Sequence, residues 1–338
     1  MNSWNVLLLF FVSSFVGNFL IMKYGVKISF LKASQAQDTH QGAIPRIGGL
    51  VLITLFFIYG INTRIISFNF ILISSLFLIP ALFEDFGINI KPLLRFFLIF
   101  ISCLLLILNL ETLPQFNLMF MNIILNNSYF QIIFFTLALA SVINGQNIID
   151  GTNGHSASTA IIIFICIGYL GYEINNPQII QIAIIVIVLL ISFLLFNYPF
   201  GKIFLGDAGS YFIGLLGGYL IIEIYATNPQ LPTWSAVIVI FYPAFEVIFS
   251  FFRKILTRKS PLLPDKKHLH LKIFFFLSKS SNSIRLCNAL VAPFLCIIWL
   301  SPLAILPIAL VIPDISFLLV CGLILKYLFF YYAIPDPK

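Results

Sequence analysis

The chain has 338 residues, of which 60% are hydrophobic and only 9% charged; its mean hydropathy is +1.05. Soluble domains carry about 25% charged residues, so a soluble core cannot hide this much apolar surface and the chain reads as a polytopic membrane protein. The placement of its 19 Lys and Arg residues then bears on topology, and the cysteines form no CxxC pair, so neither a disulfide framework nor a zinc site is indicated.

Apolar runs predict spans at about 4–22, 47–61, 66–83, 93–110, 128–145, 156–173, 179–197, 208–226, 233–252, 286–304 and 313–333. The second is short, and Pro302, Pro307 and Pro313 interrupt the last two. The expectation is therefore an all-α fold of about eleven helices, with ten as the alternative. No Lys or Arg precedes Lys23. Positive charge behind the first apolar segment marks a retained helix with its N-terminus outside, rather than a cleaved signal. Counted alternately, one set of loops and helix ends holds every lysine and arginine except Arg64, with Lys326 and Lys338 on the C-terminal side. By the positive-inside rule that set is cytoplasmic. Asp38, Glu84, Asp85, Asp150, Asp207 and Asp265 fall on the same face. No repeat or soluble boundary divides the chain, so 1–338 reads as a single transmembrane catalytic domain. Its longest connection is a cytoplasmic loop at 253–285.

The polar stretches on that face carry the chemistry. The first loop holds Asp38-Thr-His40, then Arg46 before Gly48-Gly49 at a helix start, which suits a phosphate or lipid headgroup. Glu84-Asp85 are adjacent carboxylates at a helix end; they repel unless a cation or a proton is shared. Asn144, Asn147 and Asp150 recur every third residue, which places them near one face if the helix continues that far. Asp207, between Gly206 and Gly209 where a helix opens, suits a hard cation held against a phosphate, or a simple N-cap. His268 and His270 beside Lys266 and Lys267 form a dense cationic patch for an anion if the segment is extended. Glu246 and Arg253 read as a structural pair or as lining of the site. Carboxylates with basic groups around them equip a site for phosphoryl chemistry, and the lipid boundary suggests a lipid phosphate as one substrate.

Taken in order, Pro45-Arg-Ile-Gly-Gly49, Glu84-Asp85, Asn144-Gly-Gln-Asn-Ile-Ile-Asp-Gly151, Phe204-Leu-Gly-Asp-Ala-Gly-Ser210 and His268-Leu-His270 resemble the polyprenyl-phosphate N-acetylhexosamine-1-phosphate transferases, glycosyltransferase family 4. The resemblance covers about residues 38–272. It is closer to the branch that initiates O-antigen or other surface polysaccharides than to phospho-N-acetylmuramoyl-pentapeptide transferase. The latter usually has Thr-Pro-Thr-Met-Gly-Gly where this chain has Ile44-Pro-Arg-Ile-Gly-Gly49. The resemblance implies transfer of a sugar 1-phosphate from a UDP-N-acetylated sugar to undecaprenyl phosphate in the bacterial inner membrane, with UMP leaving. It implies Mg²⁺, or Mn²⁺ in its place, and no nucleic-acid partner. Asp207 would be the main metal ligand, with Asp85 beside the ion. Glu84, where Asp is usual, would act on the lipid phosphate. Asn147 and Asp150 would wall the nucleotide, Asn197 would support the pyrophosphate, and His268 and His270 would hold the diphosphate. Arg46 and Asn153 complete the expected substrate-binding set. Asn153 stands where a second Asp is common, and Leu271 where a further His is common. The alternative from another class is a transporter or flippase. Such proteins place ionisable groups near the midplane in two related halves, whereas here the acids gather at one face.

Overall fold

A computed structural model describes residues 3–28, 44–116, 121, 123, 125–260, 265–279 and 283–337. Asp38, His40 and residues 261–264 of the long loop lie outside them. The described residues form helices and no strand. They are α1 (Ser3–Ile28), α2 (Gly48–Thr63), α3 (Phe68–Asp85), α4 (Pro92–Leu108), α5 (Ser128–Ile148), α6 (His155–Glu173) and α7 (Pro177–Asn197). After these come α8 (Gly206–Thr227), α9 (Thr233–Leu256), α10 (Leu269–Ser278), α11 (Ile284–Trp299), α12 (Ser301–Val311) and α13 (Ser316–Ala333). Among the described residues, nine stretches are long and apolar enough to cross a membrane, and α2 and α4 are shorter apolar helices where spans were expected. The chain is an all-α, multi-pass membrane protein.

Local signals start the helices as hydrogen-bonding chemistry requires. Ser67 accepts from Phe70 N at 3.1 Å and Asn127 from Tyr129 N at 3.0 Å, each side chain satisfying a free amide of its helix. Asn176 caps α7 ahead of Pro177, where the missing N–H costs nothing.

The organising element is α8, buried along nearly its whole length and packed by α2, α3, α5, α6 and α9. Without a hydrophobic drive between helices in lipid, small residues let backbones meet. A Cβ on Gly49 would lie 2.2 Å from Gly209 Cα, so α2 crosses α8 at backbone contact. A second apolar cluster joins α9, α10, α11 and α13 through Ile238, Tyr242, Ile273, Val291 and Tyr327.

Two expectations are corrected. The 253–285 loop contains α10, whose residues 269–274 are all buried, because an apolar face docks on α11. The expected span at 286–304 is interrupted at Leu300 between α11 and α12, with Pro302 in the first turn of α12. Lys326 lies within α13. Its ammonium donates to Ile297 O and, at 2.7 Å, to Ser301 Oγ, satisfying groups freed by the break.

Candidate active site

The site is assembled around the first turn of α8. Residues 45–49 run beside 204–205 through Phe204 N to Pro45 O, Gly48 N to Phe204 O and Gly49 N to Leu205 O, at 2.8–2.9 Å. Gly206 follows with φ +80°, and a Cβ there would stand 2.0 Å from Arg46 O. That left-handed turn aims the amides of α8 at the end of α3. Asp85 caps them: its carboxylate oxygens accept from Asp207 N at 2.7 Å and Ala208 N at 3.0 Å. A carboxylate at a helix N-terminus satisfies free donors and the positive end of the dipole. Asp207, expected as a metal ligand or an N-cap, is not the cap; Asp85 is.

This frame leaves the Asp207 carboxylate facing three donors. Arg95 Nη1 donates to Asp207 Oδ2 at 3.1 Å and to Glu84 Oε2 at 2.8 Å. Asn147 Nδ2 donates to Asp207 Oδ1 at 3.0 Å and to Ser210 Oγ at 2.9 Å. Arg46 Nη2 stands 3.9 Å from Asp207 Oδ1, with half of its side chain exposed. The side chains of Asp207 and Glu84 are 20% and 19% exposed, so both reach solvent. Arg95 also lies over the Tyr211 ring at 5.9 Å. Its role was missed because a basic residue at a helix start reads as a topology signal; only the α3–α4 packing turns it towards Glu84.

The three polar residues spaced by three separate. Asn144 bonds back to Ala140 O at 2.8 Å, Asn147 reaches Asp207, and Asp150 lies in the turn after α5 with a hydrogen bond to the Ser156 side chain. Burial pushes the Asp150 carboxyl up to about 8, against the pull of Arg46 and with a further push from Asp207. A folded pKa above the unfolded value near 3.9 means the stability of the neutral acid is present at low pH and lost as pH rises through about 8. Asp150→Asn should therefore flatten this dependence and melt at or above the wild type at about pH 8. Equal slopes of melting temperature against pH in the two proteins would contradict this.

Asn153 and Asn197, expected on substrate, hydrogen-bond to the loops. Asn153 N donates to Asn288 Oδ1 at 2.7 Å and its Nδ2 to Pro199 O at 2.8 Å. Asn197 Oδ1 accepts from Gly154 N at 2.6 Å and its Nδ2 donates to Ile203 O at 2.8 Å. Both are buried, and together they tie the 151–154 turn to the segment entering α8.

The histidines are buried rather than exposed. His268 Nδ1 lies 3.0 Å from Glu246 Oε1, which also accepts from Leu269 N at 3.1 Å, while Tyr327 Oη donates to Glu246 Oε2 at 2.7 Å. The His268 and His270 rings stack with centroids 6.0 Å apart, and His270 stacks on His155 at the same spacing. His155 Nε2 meets Tyr242 Oη at 3.0 Å. A Cβ on Gly151 would stand 2.7 Å from His270 Nε2, so the column reaches the 150s turn. Burial, with His155 and His268 alongside, holds His270 well below the ordinary imidazole value. In place of the expected cationic patch the histidines form a buried column, and Lys267 pairs with Asp336. Glu246 and Arg253 are not a pair: Arg253 meets Asp265 at 2.6 Å.

Among the described residues no group of three or more His, Cys, Asp or Glu is placed to hold a metal. Of the three carboxylates expected about one ion, Asp85 accepts from the amides that open α8, Asp150 is buried in the turn after α5, and Asp207 reaches solvent. The accessible carboxylates are Asp207 and Glu84, now bridged by Arg95. Mg²⁺ is ordinarily held by one or two carboxylates together with substrate phosphates rather than by an all-protein cage, and these oxygens fit that mode.

Residues 67–225 match the family described as glycosyl transferase family 4. The chain is 23% identical over 268 residues to the undecaprenyl-phosphate alpha-N-acetylglucosaminyl 1-phosphate transferase of Thermotoga maritima, with 79% of each chain covered. It is 28% identical over 141 residues to the probable undecaprenyl-phosphate N-acetylglucosaminyl 1-phosphate transferase of Bacillus subtilis. That similarity takes in 41% of this chain and 39% of the relative. A phospho-N-acetylmuramoyl-pentapeptide-transferase of Dictyoglomus turgidum is 26% identical over 233 residues, covering 64% of this chain and 73% of its own. The matched segment is the one that brings α3, α4, α5 and α8 together around Asp207, so it is through the residues of the site that the chain is similar to glycosyl transferase family 4 and to the polyprenyl-phosphate hexosamine-1-phosphate transferases.

Proposed function

We propose that the chain transfers an N-acetylated sugar 1-phosphate from a UDP-sugar to undecaprenyl phosphate at the cytoplasmic face of the bacterial inner membrane. The products are undecaprenyl-diphospho-sugar and UMP. The observation that carries the reading is the pair of solvent-reaching carboxylates, Glu84 and Asp207, joined by Arg95 and faced by Arg46. Two carboxylates with two guanidinium groups at a membrane face suit two phosphate-bearing substrates that repel each other. The relatives' names favour N-acetylglucosamine as the sugar. The Arg46 segment favours initiation of O-antigen or another surface polysaccharide over the peptidoglycan reaction.

In the reaction a lipid-phosphate oxygen bonds to the sugar-side phosphorus, and the bond from that phosphorus to the bridging oxygen breaks. UMP leaves with the electron pair. A phosphate monoester has its second pKa near 6, so the nucleophile is already mostly ionised and no strong general base is required. Bringing two anions together is the harder task. Asp207 and Glu84 would hold Mg²⁺, which when bound neutralises charge on the diphosphate. Arg46 receives a phosphate from solvent, and Arg95 holds the two carboxylates in register. Asp85 fixes the start of α8, so that Asp207 is presented at a set position.

The test is UMP release by purified protein in detergent with undecaprenyl phosphate, Mg²⁺ and a panel of UDP-sugars. Turnover with UDP-N-acetylglucosamine, lost in excess chelator and restored by Mg²⁺ or Mn²⁺, is the expected result. Turnover with the UDP-muramoyl-pentapeptide alone would establish the peptidoglycan reading in its place. Activity that persists in chelator would remove the metal from the mechanism.

A further inference from the structure

A second polar cleft, of about 380 Å³, lies where α9 and α13 end, and no residue lining it is a partner of Asp207 or Glu84. Arg253, Lys259, Lys267 and Lys272 converge on it. Lys272 is 3% exposed, which is costly for an ammonium unless paired. It donates to Tyr331 O at 2.7 Å, lies 4.0 Å from the centre of the Tyr331 ring and meets Asp336 Oδ1 at 2.9 Å. The other oxygen of Asp336 is taken by Lys267. One carboxylate thus bridges two ammonium groups, as a phosphate would. Asp336 is 47% exposed, so it fills the cationic cleft from the solvent side and can be exchanged. Asp265 neutralises Arg253, but with the exposed Lys259 the lining keeps an excess of positive charge.

The surroundings identify the source of the phosphate. Both helices are membrane spans that run in the same direction, since Trp234 and Phe317 meet at their starts. Along their ends Leu256, Phe329 and Tyr332 are 83%, 69% and 74% exposed. An acyl chain lying on these side chains brings its headgroup to the cleft, and basic pockets between spans at a membrane face suit anionic lipid headgroups. We infer that the Arg253–Lys259–Lys267–Lys272 cleft binds the phosphate of an anionic phospholipid, with Asp336 as the internal group it displaces. The consequence is local to the site's histidines, because His268 and His270 lie between Lys267 and Lys272 in the chain.

The experiment is native mass spectrometry of the full chain in detergent, titrated with phosphatidylglycerol, with phosphatidylcholine as the comparison. Phosphatidylglycerol should bind preferentially. The Lys259→Gln/Lys267→Gln protein should bind it about 25-fold more weakly, at about fivefold per lysine for roughly 1 kcal/mol each. Asp336→Asn should bind it more tightly. A thermal melt like that of the wild type would show that the double variant is folded. Equal affinity for the two lipids, or no change in the double variant, would overturn the inference. Displacement of the lipid by millimolar inorganic phosphate would overturn the lipid assignment and make this a free-phosphate site.

Discussion

Asp207→Asn should lower UMP release by roughly 10³-fold or more while leaving expression and melting temperature near those of the wild type. The amide matches the carboxylate in volume, and Asp207 is only partly buried, so the first turn of α8 should be kept by Asp85. What disappears is the charge that Arg95 at 3.1 Å and Arg46 at 3.9 Å face. The side-chain NH₂ of Asn147, now donating to Asp207 Oδ1 at 3.0 Å, would also meet a group half of which is itself a donor. Glu84 would keep Arg95 at 2.8 Å, which preserves the α3–α4 contact and separates loss of chemistry from loss of fold. UMP release within about tenfold of the wild type, equivalent to about 1.4 kcal/mol of barrier, would remove Asp207 from the centre of the mechanism.

Gly206→Ala should be the most damaging single methyl group in the site. The residue has φ +80°, and the added carbon would sit 2.0 Å from Arg46 O and 2.6 Å from Asp85 Oδ2. The left-handed conformation costs about 1–2 kcal/mol for an L-residue, and overpacking adds about 1–3 kcal/mol. The strain can be relieved only by moving the Arg46 segment or the Asp85 cap, and both position Asp207. A displacement of about 1 Å can cost about 100-fold in rate, so a lower melting temperature and a comparable fall in activity are expected together. Gly322→Ala is the control, because a Cβ there meets nothing within 4 Å and should lower neither. Unaltered activity in Gly206→Ala would mean that the α8 turn does not position the site.

Much of this molecule is legible in the order of its residues. Hydropathy and helix length locate the spans, because each crossing must bury its own backbone polar groups in lipid; α3, α5, α6, α7 and α8 begin and end within a few residues of expectation. Polar side chains that are costly in a membrane mark the functional segments: Asn147 bonds to Asp207 directly, and Glu84 is joined to it through Arg95. Helix content in the long loop was less legible, since α10 is only 10 residues long and is held by packing on α11 rather than by its own periodicity.

Composition and spacing alone determine that the protein is helical, membrane-spanning and polar at one face, because these depend on interactions of each segment with lipid and water. Tertiary structure alone decides which of those polar groups are available. It commits Asp85 to the end of a helix 122 residues away, ties Asn153 and Asn197 into loops, and sets Arg95 between Glu84 and Asp207. It also buries His268 against Glu246. Such partnerships join residues on different helices, and only the way those helices pack brings the side chains within hydrogen-bonding reach.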